Sequence, residues 1–196
     1  MSPRKPKKVA PAGKRPESMA PLRQALSRRK KAELVDTLLG LAQADRGVLR
    51  QLTARFDVAA APDDLVAATQ LAIADATAFD ERDINRNFAY DYEAYGEVKR
   101  NLGRLIGLGQ LQLAMRLALE LMKQGSYQVE MSDEGLMAQD IEDCLTEVLR
   151  ALEKGDQPAS EVVAWCSAML DTDRVGFIAR TPLQALRTYA QAAAGR

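Results

Sequence analysis

The chain contains no histidine, one tryptophan and two cysteines. The missing histidine removes imidazole acid–base catalysis, Ser-His and Cys-His nucleophile activation, and the mixed Cys/His zinc sites. Two cysteines, Cys144 and Cys166, are too few for a disulfide framework. Each falls inside an apolar helical pattern, where a small buried thiol is ordinary. No run approaches the roughly 18 consecutive apolar residues that span a bilayer, and the basic N-terminus leads into Pro and Gly instead of a signal-type apolar segment. The expectation is a soluble, cytoplasmic protein with no membrane span. Phosphate-binding glycine loops and EF-hand spacing are also missing, and no cofactor is expected.

Hydrophobic residues make up 47% of the 196 positions, enough to supply a core. The net charge of zero conceals a division. Residues 1–31 carry 11 Lys or Arg against one acid, Glu17, a net +10, so the remainder carries −10. Residues 1–20 hold Pro3, Pro6, Pro11 and Pro16 among these charges and have scarcely any apolar side chain to bury. Ordering them would cost entropy without a compensating core, so this basic arm is expected to be disordered. Its Arg4, Lys5, Lys7, Lys8, Lys14 and Arg15, with Arg28, Arg29, Lys30 and Lys31 extending along the first helix, have the electrostatics for non-specific contact with DNA, RNA or an anionic membrane surface. Solubilising the chain is the plainer use of the same charges.

Residues 21–196 are expected to form one all-α domain of about eight helices in antiparallel hairpins, as a bundle or short irregular solenoid. "KAELVDTLLGLAQAD" and "DRGVLRQLTARFD" form the first pair. "PDDLVAATQLAIADATAF" opens with Pro62 and two acids at the favourable end of the helix dipole. "GQLQLAMRLALELMKQG", between Gly109 and Gly125, is apolar apart from a stripe of Gln112, Arg116 and Glu120, which makes it the expected central helix. A helix marked by Met137, Ile141, Cys144, Leu145, Val148 and Leu152 ends near Gly155. Another follows Pro158, and the last begins with Thr181 as cap and Pro182 in its first turn. The only strand candidate is "SYQVEM". No repeat of fixed length is visible.

Phe88, Tyr90, Tyr92 and Tyr95 fall together in "NFAYDYEAYGEVKRNLGRL". A helix starting near Asp91 is expected to place Tyr92, Tyr95, Val98, Leu102, Leu105 and Ile106 on one core face, with Phe88 and Tyr90 stapling the incoming chain against it. The alternative is that one or two rings are exposed as anchors for a partner, since tyrosine joins contact area to a hydrogen-bonding tip. The surrounding Asp80, Glu81, Asp83, Asp91, Glu93 and Glu97 would repel phosphate, so a peptide or protein suits this patch better than nucleic acid.

Further carboxylates cluster at Asp133 and Glu134, at Asp140, Glu142 and Asp143, and at Asp171 and Asp173, where solvated faces and caps are the plain reading. "DTDRVGF" is expected as a turn or an exposed loop around Gly176. Gly103 and Gly107 in "GRLIG" are spaced for a close helix approach.

"KAELVDTLLGLAQADRGVLRQL", followed by "YEAYGEVKRNLGRLIGLGQLQLAMRLALELM", resembles the helical region beside SWIM zinc fingers in bacterial proteins and related all-helical domains of unknown function. The resemblance covers residues 31 to 155. A SWIM finger needs Cys and His ligands, so without histidine no metal function carries over, and what the resemblance implies is a helical scaffold. The expected function is a non-enzymatic helical interaction or scaffold module with a protein partner. The alternative is a nucleic-acid-associated protein tethered by its basic arm. Oligomeric state is left open.

Overall fold

The computed structural model describes residues 19–55 and 61–194. The basic arm therefore lies outside the described residues, apart from Met19 and Ala20. Every regular element among the described residues is a helix, and they divide between two compact units, residues 1–55 and 56–196.

In the first unit, α1 (Ala20–Ser27) begins with Pro21, whose fixed φ and missing N–H suit a first turn. It ends at Arg28, and α2 (Lys31–Ala44) starts after Lys30, whose backbone N–H donates to Glu33 Oε2 at 3.1 Å. Arg28, Arg29 and Lys30 therefore occupy a break between helices and do not extend along the first one, as the charge run suggested. Asp45 alone separates α2 from α3 (Arg46–Arg55), closing α2 with its N–H and opening α3 by accepting from Gly47 N at 2.7 Å. α2 packs against α3. Of the side chains described in this unit only Ala42 is buried, while Val35, Leu38, Leu39, Leu41 and Leu49 remain exposed.

The second unit contains α4 (Pro62–Ala76), α5 (Glu81–Asn87), α6 (Tyr92–Gly107), α7 (Leu111–Met131), α8 (Ala138–Lys154), α9 (Ala159–Thr172) and α10 (Arg180–Ala194). α7 packs against α4, α6, α8 and α9, so it is the expected central helix. Its Gln112 and Arg116 face solvent while Leu117, Ala118, Leu121 and Met122 are fully buried. α6 packs against both α4 and α8, and α9 against α10.

"SYQVEM" is the end of α7 and not a strand. The apparent alternation misleads because the polar residues turn inward. Ser126 and Gln128 are fully buried and hydrogen-bonded, whereas Tyr127 and Met131 are exposed. Gly125 does not end the helix either; it marks a close approach, since a Cβ there would lie 2.7 Å from Ile141 Cδ1 of α8. Gly103 and Gly107 have no such neighbour. α10 starts one residue before Thr181. Ala179, at φ 49°, donates its N–H to Glu142 Oε1 at 2.8 Å, and its carbonyl takes the first bond of the helix from Leu183 N.

Candidate partner-binding groove

The four rings run from the end of α5, through the turn after it, into the first turn of α6. Asp80 opens α5 by accepting from Arg82 N at 2.8 Å and Asp83 N at 3.2 Å. Phe88 closes it in the left-handed conformation at φ 53°. Three residues later Asp91 caps α6 by accepting from Ala94 N at 2.9 Å. These two caps hold four residues, 88 to 91, between the helix ends.

The structure separates the four rings. Tyr95 is buried, and its hydroxyl donates to Gln128 Oε1 of α7 at 2.6 Å. Burial pushes its pKa well above the usual tyrosine range. Tyr90 is half-buried, with its ring edge-on to Tyr95 at 6.1 Å and its hydroxyl donating to Asp140 Oδ2 at 2.7 Å. Burial, aided by the hydrogen bond and charge of Asp140, pushes Tyr90 up to about 12.

Phe88 and Tyr92 are not stapled to the core: they are 56% and 65% exposed. For Tyr92 the reason is angular. The buried residues of α6 are Ala94, Tyr95, Val98, Asn101, Leu102 and Leu105. At about 100° per residue their face centres near Val98, and Tyr92 points roughly 120° away from it. Phe88 projects outward from the left-handed turn that ends α5.

Beside Tyr92 lies a groove of about 510 Å³. Phe79, Ile84, Ala89, Tyr90 and Tyr92 give it aromatic and apolar surface, and Asp75, Asp80, Asp83, Asp91 and Glu93 give it carboxylates. No Lys or Arg lines it among the described residues. Asp80 and Asp91 are also caps, and Asp83 accepts from Asn87 Nδ2 at 3.1 Å. The groove thus pairs apolar surface with negative charge. Phosphate is disfavoured there, and a cationic or apolar side chain is favoured.

Several of the remaining sequence candidates have structural uses. Asp140, Glu142 and Asp143 face three different partners: Tyr90, the Ala179 N–H and Lys99. Asp173 is buried and accepts from Ile178 N at 2.9 Å, making "DTDRVGF" a self-capped turn between α9 and α10, with Gly176 at φ 73°. No group of three or more metal-ligating side chains occurs among the described residues. Burial pushes the Cys144 thiol up to about 12 and Cys166 up to about 11, so neither is a ready thiolate. Arg28, Arg29, Lys30 and Lys31 are exposed. Arg4, Lys5, Lys7, Lys8, Lys14 and Arg15 lie outside the described residues.

Sequence reasoning missed Phe79 as a wall of the groove, and Gln128 and Asp140 as the groups that hold Tyr95 and Tyr90. The aromatic–acid pair Phe79–Asp80 just before α5 was the available signal for the first. No helix among the described residues is long and apolar enough to cross a membrane. Comparison with protein-family models, curated proteins and solved structures finds no match to this chain.

Proposed function

We propose that the chain is a non-enzymatic helical interaction module, and that the groove beside Tyr92 receives a protein partner. The observation that carries this reading is the contrast within one short segment. Tyr90 and Tyr95 anchor to the unit through hydrogen bonds, whereas Phe88 and Tyr92 present their rings to solvent, and Tyr92 lines an apolar, carboxylate-rimmed groove. Exposed aromatic rings on a rigid base supply contact area at little entropic cost, the usual character of an interface anchor. The carboxylates favour a partner segment in which Lys or Arg flanks an apolar side chain.

A binding role also accords with the state of the two thiols and Tyr95, whose burial raises their pKa values above the ordinary ranges instead of activating them. The test is quantitative capture from lysate with the full chain and with Tyr92→Ala, followed by reconstitution with the purified partner. Tyr92 is exposed, so its removal leaves the fold intact. A partner that binds the parent and loses at least about tenfold affinity for the variant supports the reading. Identical captured sets and identical affinities contradict it.

A further inference from the structure

A second surface, in the first unit, pairs an apolar groove with the cations assigned to nucleic acid on charge alone. Met19, Leu22 and Leu26 recur at three- and four-residue spacing, so they form one stripe along α1. They are 68%, 49% and 42% exposed. With Arg23 and Ser27 of α1 and Leu34 of α2 they line a concave groove of about 510 Å³. Arg28, Arg29, Lys30 and Lys31, all exposed, follow directly at the end of α1.

The chemistry of this groove selects among occupants. Nucleic acid would use the cations but gain nothing from three exposed apolar side chains in a hollow, because phosphate contacts dominate such binding. A flat lipid surface would meet the cations and the stripe but would not fill a concavity. A second copy of this same surface brings positive charge against positive charge. An amphipathic helix matches both features. Its own apolar residues at i, i+3 and i+7 seat against the stripe, and acids on its flanks reach Arg23 and the run from Arg28 to Lys31. We infer that the α1–α2 groove is a docking site for an acidic amphipathic helix of a partner protein. This site belongs to the first unit and stands independently of the groove beside Tyr92.

The probe is a fluorescein-labelled amphipathic peptide with Leu on one helical face and Glu on the other, titrated with the full chain and read by anisotropy. A scrambled peptide of the same composition, a DNA duplex and vesicles containing phosphatidylserine serve as competitors. The amphipathic peptide is expected to bind at least about tenfold tighter than its scramble. It should lose at least as much on Leu22→Glu with Leu26→Glu, and on Arg28→Glu with Arg29→Glu. Leu22→Ala with Leu26→Ala gives the same loss while favouring α1, since alanine is the better helix former. Equal binding of the scramble, displacement by duplex or vesicle at lower concentration than by unlabelled peptide, or no peptide binding at low salt would each overturn the inference.

Discussion

The Tyr95 hydroxyl donates to Gln128 Oε1 at 2.6 Å, and the same amide donates through Nε2 to the carbonyls of Ala76 and Ala78, both at 3.0 Å. One fully buried glutamine thus ties α6 and α7 to the end of α4, where the groove begins. Gln128→Leu keeps the bulk but orphans the buried Tyr95 hydroxyl and the buried Ala76 carbonyl. Unsatisfied buried polar groups cost about 1 to 3 kcal/mol each, so a loss of about 3 kcal/mol is expected in urea unfolding. Tyr95→Phe, which removes one of these bonds, should cost about 1 kcal/mol. A loss under 0.5 kcal/mol for Gln128→Leu, taken as roughly the level of an ordinary surface change, would contradict this role.

Gly125 and Ile141 form a second tight contact. Replacing Gly125 with Ala gains about 1 kcal/mol of helix preference, but the new Cβ would lie 2.7 Å from Cδ1 of a fully buried isoleucine. Overpacking costs about 1 to 3 kcal/mol, so Gly125→Ala should be neutral to destabilising by about 2 kcal/mol. In an Ile141→Val background, which lacks that methyl but keeps the Cγ1 carbon at 3.1 Å, the same change should cost measurably less. Equal effects in the two backgrounds would exclude the contact as the cause.

Phe88 ends α5 at φ 53°, a conformation that costs a non-glycine residue about 1 to 2 kcal/mol. Glycine removes that strain at some entropic cost in the unfolded chain, so Phe88→Gly should stabilise the unit by about 0.5 to 1 kcal/mol. The same variant deletes an exposed ring four residues before Tyr92, and weaker partner binding is expected alongside the higher stability. Such opposite movements would mark Phe88 as an interface residue kept against local backbone preference. Thermal unfolding and partner affinity measured on the same preparation check both halves.

Alkaline pH tests the buried groups. Cys144 rises from its ordinary 9.0 to about 12 and Cys166 to about 11, both chiefly through burial. Above pH 9 the unfolded thiols lose protons that the folded ones keep, so the unfolded state binds fewer protons and stability falls as pH rises. The contribution is complete below pH 9 and is lost progressively toward 11 and 12. Tyr90, raised from 10.0 to about 12, adds to the decline above pH 10. Urea midpoints from pH 8 to 11 should fall, and less steeply in Cys144→Ala with Cys166→Ala. A midpoint that is flat over this range would contradict the burial of these groups.

The fold was legible wherever apolar spacing was strong. α8, with Ile141, Cys144, Leu145, Val148 and Leu152 on one face, was clear from periodicity, and so was the central place of α7. The end of α7 was not, because Ser126 and Gln128 are buried through hydrogen bonds to Thr172, Ala76 and Ala78, and such partners leave no local trace in the sequence. Gly125 read as a stop for the same reason: its neighbour, Ile141, lies on another helix. α5 was hidden inside an acidic cluster whose first member, Asp80, is its cap. Of the four rings, Tyr95 belongs to the core face that the spacing allowed, and its burial removes it as one of the anchors the alternative offered. Tyr92 is not part of that core face, because it stands about 120° from the centre near Val98.

The most direct test of the account places the photoreactive analogue p-benzoylphenylalanine at position 92, and separately at Tyr189, which is 72% exposed on α10 far along the chain from the groove residues. After irradiation in cells, a discrete crosslinked protein from position 92 that is absent from position 189 is the predicted result. No crosslink at 92, or the same products from both positions, would contradict a partner seated in the groove.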